Sequence, residues 1–136
     1  MPATTTLSPS QWLECLSDPN AASRPEIFET YGGDDAHRKA RLALVRSAMD
    51  AHGKTFGDES VHVLRAPGRI NLRGMHVDTH GGFINTMTLG RETVLTAAPT
   101  DAPFVCIENL ADDRSTAPFD LDGAAQPDVG WGRYAR

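Results

Sequence analysis

From Arg65 to Phe83 the chain reads Arg-Ala-Pro-Gly-Arg-Ile-Asn-Leu-Arg-Gly-Met-His-Val-Asp-Thr-His-Gly-Gly-Phe, and no other run limits the fold as strongly. Pro67 lacks a backbone donor, and Gly68, Gly74, Gly81 and Gly82 are costly inside a helix or strand but take turn conformations freely. The segment therefore reads as a shaped loop between strands. It also concentrates arginines, histidines and an aspartate where few side chains could form a core, which is the composition of a site. Tight turns demand the same prolines and glycines whatever the chemistry, so those residues support a shaped backbone and no particular activity.

The flanks read as an α+β domain. Ser8-Pro9-Ser10-Gln11 supplies an N-cap, a proline at the first helical position and a capping-box Gln. This predicts a helix over Pro9 to Ser17 with Trp12, Leu13 and Leu16 on one face. A longer helix is expected from Asp35 to His52, with Leu42, Val45 and Met49 at helical spacing and Gly53 as its C-terminal cap. Its Arg38, Lys39, Arg41 and Arg46 read as a solvated face. Val61–Arg65, Phe83–Leu89, Glu92–Ala98, Phe104–Glu108 and Ser115–Leu121 have the branched and aromatic content of successive, mostly antiparallel strands. Gly90-Arg91, Thr100–Pro103 and Ala111–Arg114 supply the turns. With 136 residues the chain fits a single domain, its first 34 residues forming a helical extension.

A net charge of −5, with 40% hydrophobic and 23% charged residues, gives no footprint for nucleic acid or an anionic membrane. No basic-plus-apolar leader and no apolar run near the length of a membrane span occurs, so a cytoplasmic location is expected. Cys15 and Cys106 are far apart and in no paired spacing, and read as buried reduced thiols.

Within the central run, Arg69 follows Pro67-Gly68, where a rigid backbone turn could aim its guanidinium into a cleft and stabilise developing negative charge. Read alone, it is an ordinary surface arginine. His76 and Asp78 lie two apart, so an extended segment would project both from one face, where a carboxylate and an imidazole can bond the hydroxyls of a small polyol. An exposed turn held by Asp78 is the plainer alternative. His76-x-Asp78-x-His80 on a strand would also suit zinc and a hydrolase, although Gly81-Gly82 ends the strand at once. Asn71 is expected to bond the loop's own backbone. Gly53-Lys54-Thr55 is no phosphate loop, because the pattern needs a glycine where Ala48 stands.

Residues 66–82 closely resemble the sugar-recognition signature of galactokinase-like members of the GHMP kinase superfamily, Ala-Pro-Gly-Arg-(Val/Ile)-Asn-Leu-Ile-Gly-Glu-His-Thr-Asp-Tyr-Asn-Gly-Gly. Met75 replaces its Glu, Thr79 its Tyr and His80 its Asn. The resemblance runs from about Asp35 to Arg136, where Trp131 and Tyr134 are similar to a Trp-x-x-Tyr segment that opens a helix in galactokinases.

The resemblance implies the N-terminal lobe of a two-lobed sugar kinase, truncated. That lobe has a mostly antiparallel sheet packed with helices, like the second domain of the fifth small-subunit ribosomal protein. The implied reaction transfers the γ-phosphoryl of ATP, with Mg2+, to a sugar hydroxyl, the anomeric one in galactokinases. Arg69 matches the active-site arginine, and Met75, His76, Asp78 and Gly82 match sugar-contacting positions. The implied partner is a small-molecule sugar, with no nucleic acid and no membrane. Neither the Gly/Ser-rich phosphate loop nor the later catalytic Asp occurs in these residues, so the chain alone is expected to be inactive. A non-catalytic sugar-binding module or relic remains the alternative.

Overall fold

The computed structural model describes residues 6–18, 34–74, 76–111 and 116–121. They fall into two compact units, Met1–Ala98 and Pro99–Arg136.

In the first unit, helix α1 spans Pro9–Ser17. Ser8 and Gln11 form the expected capping box: the Ser8 hydroxyl accepts from the Gln11 backbone and Gln11 Oε1 accepts from Ser8 N at 3.0 Å. Trp12 and Cys15 are buried, and Leu13 and Leu16 pack against the core cluster that contains Trp12. Asp58, just after the next helix, accepts from Ser10 N at 2.7 Å, Ser10 Oγ at 2.6 Å and Ser8 Oγ at 3.2 Å. The Ser10 hydroxyl and backbone donors hold its carboxyl below the ordinary range, with Ser8 adding a smaller effect.

Helix α2 spans Asp35–Thr55, with Asp34 capping its start by accepting from His37 N at 2.7 Å. Val45, Ala48, Met49 and His52 are its buried residues, spaced along one stripe. Gly53 is not the cap that the sequence suggested. The helix continues to Thr55, Phe56 closes it by donating to His52 O at 2.8 Å, and Gly57 follows with φ 101°. The physical reason is packing: at Gly53 a Cβ would stand 3.4 Å from the Pro9 Cβ, so this turn of α2 lies against the start of α1.

The core is Trp12, Val45, Met49 and Val61, with Leu7, Leu13, Leu16, Val63, Val94 and Ala98 against it. Leu7 bridges to Val61, whose N–H donates to Leu7 O at 2.9 Å. Burying such side chains contributes roughly 1.5–3 kcal/mol each. That is the force docking the N-terminal helix onto α2.

Strands β1 (His62–Arg73) and β2 (Asn85–Ala97) pair antiparallel as one long ribbon. Two sequence expectations are corrected. The shaped segment does not begin at Arg65: its first nine residues belong to β1. The Gly90-Arg91 turn does not separate two strands, because both residues lie inside β2. The irregularity they signalled is a bulge: Pro67 faces Glu92 while Arg69 already faces Thr88. Proline cannot donate to the ladder and is confined to such places. Arg65 and Glu92 pair across the ribbon, with Arg65 Nε and Nη2 both 2.7 Å from Glu92 Oε2.

In the second unit, β3 (Phe104–Glu108) pairs antiparallel with β4 (Thr116–Asp120), from Phe104 opposite Asp120 to Glu108 opposite Thr116. Phe119 is buried, and Leu121 N donates to Pro103 O at 3.2 Å. Among the described residues, two helices and small antiparallel sheets make an α+β fold, as expected from the sequence. Among the described residues, no helix is long and apolar enough to cross a membrane.

Candidate functional site

The site region begins where β1 ends at Arg73 and closes where β2 starts at Asn85, a pair in register. Gly74, at φ 91°, turns the chain out of β1; a Cβ there would meet Phe83 O at 2.9 Å. The turn is then knitted by backbone bonds: Val77 N to Gly74 O at 3.0 Å, His80 N to Val77 O at 3.1 Å and Gly82 N to Val77 O at 3.0 Å. A Cβ on Gly82 would meet Val77 Cγ1 at 2.1 Å, so the loop closes on itself only with glycine there.

This geometry corrects one sequence argument. His76, Asp78 and His80 do not lie on an extended segment. His76 sits at φ 66°, and Asp78–His80 form a single 3-10 turn. The two-residue alternation that placed His76 and Asp78 on one face, and that would have converged three zinc ligands, does not operate here. Thr79 Oγ1 instead donates to His76 O at 2.7 Å, and His80 Nδ1 lies 3.0 Å from Thr79 Oγ1 and 3.2 Å from His76 O. With the threonine hydroxyl donating to the carbonyl, the network assigns the proton to His80 Nδ1. Among the described residues, no group of three or more His, Cys, Asp or Glu side chains could hold a metal ion.

Arg69 is exposed on β1, opposite Thr88, so a strand and not a loop presents it. His76 and Gly82 are exposed in the turn region. Met75 and the Asp78 side chain lie outside the described residues, as do Trp131 and Tyr134.

An open depression of about 560 Å³ lies at this end of the ribbon, lined by Arg73, Gly74, Val77, Phe83 and Asn85. None of these was singled out from the sequence as a contact residue. One signal was available: Arg73 stands where the signature has an apolar residue, between Leu72 and Gly74. Phe83 is 99% exposed, an unusual state for a phenyl ring next to a concave surface.

Residues 50–99 match the family model for the galactokinase galactose-binding signature. The matched span takes in the end of α2, the whole β1–β2 ribbon and the turn between the strands, and it ends one residue past the first unit. No solved structure matches the chain. The chain thus carries, over residues 50–99, a match to the galactokinase galactose-binding signature within an α+β fold.

Proposed function

We propose that these residues are the sugar-recognising part of a kinase that transfers the γ-phosphoryl group of MgATP to a sugar hydroxyl, the anomeric one in galactokinases. The observation that carries this reading is the galactokinase galactose-binding signature over residues 50–99, which includes the β1–β2 ribbon with an open depression at its tip. In this reading Arg69 stabilises charge developing on the transferred group or the reacting oxygen, an effect belonging to the transition state. Met75, His76, Asp78 and Gly82 form the sugar wall. Sugar recognition is the share of the reaction proposed for these 136 residues, and the chain alone is expected to transfer no phosphate.

Met75 bears on which sugar. A thioether in place of the signature's carboxylate removes a charged acceptor, and a hydrogen bond to a charged group contributes about 1.5–3 kcal/mol. The proposed substrate is therefore a sugar other than galactose.

The test is equilibrium binding of a sugar panel to the purified chain, with ADP release measured in parallel. Sugar binding without ADP release is the expected result, and no sugar binding at all would sink the reading. In a form of the protein that turns over, Arg69→Ala should lower kcat far more than it weakens sugar binding; an unchanged kcat would make Arg69 structural.

A further inference from the structure

The five residues around the depression have a one-sided chemistry. Arg73 and Asn85 are directly opposed in the ladder, so their side chains leave the same face of the ribbon with Cβ atoms about 4.5–5.5 Å apart. A guanidinium can only donate hydrogen bonds, and the carboxamide nitrogen of Asn85 adds two more donors. Among the described side chains, no acidic residue lines the depression. Among the described residues, no ion pair involves Arg73. By contrast Arg65, on the same strand, is matched by Glu92. Beside these donors stand the bare ring of Phe83 and Val77, 42% exposed, which offer an apolar wall to the carbon skeleton of a ligand. The depression thus offers a cationic fork, a carboxamide and an apolar wall within the span of a small molecule.

We propose that this depression selects a sugar bearing an anionic substituent, a carboxylate or a phosphate, and that Arg73 is the residue determining that specificity. The inference rests on the sugar-binding reading above and names the substrate class of the same site. The planar guanidinium meets either anion through two parallel N–H donors, which a lysine ammonium cannot reproduce. Asn85 donates to the same group or to a neighbouring hydroxyl, while the ring of Phe83 covers the sugar's C–H face.

The experiment is titration of the full chain with galactose, galacturonate, galactose 6-phosphate and inorganic phosphate, in wild type, Arg73→Gln and Arg73→Lys, with circular dichroism confirming the fold of each variant. At least one anionic sugar should bind about tenfold or more tightly than galactose, the ratio expected of one charge-assisted hydrogen-bonding fork. Arg73→Gln should bring the two within about twofold, and Arg73→Lys should keep part of the preference. The carboxylate and phosphate arms identify which anion is preferred. Galactose binding as tightly as both anionic sugars, an unchanged preference in Arg73→Gln, or inorganic phosphate binding as tightly as the sugar phosphate would each overturn the inference while leaving sugar binding intact. Absence of binding by every sugar would overturn both.

Discussion

Glu92 carries the most exposed electrostatic risk in the first unit, because its side chain is only 4% accessible and its charge relies on Arg65. Its second oxygen, Oε1, is buried and has no hydrogen-bond partner among the described residues. Arg65→Ala should therefore lower stability by about 3 kcal/mol, since a buried carboxylate would be left uncompensated. Replacing both, Arg65→Met with Glu92→Leu, should recover to within about 1 kcal/mol of wild type in urea unfolding, because an apolar pair needs no desolvation of charge. A second titratable residue, His52, is buried on α2, with Nδ1 3.1 Å from Thr96 Oγ1 on β2 and its ring 5.2 Å from that of Phe56. Burial disfavours the imidazolium and lowers its pKa from the ordinary 6.5. The unfolded chain then takes up the proton first as pH falls. The contribution of neutral His52 is complete above pH 6.5 and is lost progressively below it, toward the lowered folded value. Urea midpoints measured from pH 8 to pH 5 should fall more steeply for wild type than for His52→Gln. Parallel profiles would show that His52 titrates as freely in the fold as outside it.

Among the elements, α1 was fully legible in the sequence and α2 only at its start. The Ser8–Gln11 box and Pro9 act within one turn, so their effect needs no tertiary information. The end of α2 was misjudged because Gly53 and Gly57 both suit a helix terminus, and only contact with α1 distinguishes them. Their substitutions should diverge. Gly57→Ala, at φ 101° in open space, should destabilise by about 1 kcal/mol through left-handed backbone strain alone. Gly53→Ala should instead gain up to about 1 kcal/mol of helix propensity, since its Cβ would make an ordinary 3.4 Å contact with Pro9. Equal losses of thermal midpoint at both positions would place the helix end at Gly53 after all. The ribbon shows the same division: the branched residues marked strands, yet the bulge opposite Pro67 and the continuation of β1 through Arg69 to Arg73 depend on a partner strand about twenty residues away in sequence.

Considered whole, the chain places one thiol in each compact unit, Cys15 buried on α1 and Cys106 half-buried on β3. Each thiol can therefore report the opening of its own unit. With a thiol reagent under native conditions, Cys106 should label first, while Cys15 should label only as the Trp12–Val45–Met49–Val61 core opens. Denaturant should accelerate Cys15 labelling in step with the loss of helical signal. Native-state labelling of Cys15 as fast as Cys106 would mean that α1 detaches without unfolding of that core.

By itself the sequence determined what short-range chemistry decides: the capped first helix, the branched strands and the run of residues that the galactokinase signature matches. Tertiary structure decided everything that depends on which backbone groups find distant partners. It carried Arg69 onto a strand, turned Asp78–His80 into a 3-10 turn, and set Arg73 opposite Asn85 beside Phe83. The reason is that glycine and proline mark where a chain can bend, whereas the direction of the bend follows from hydrogen bonds closed across the ribbon and from side chains that cannot share the same space.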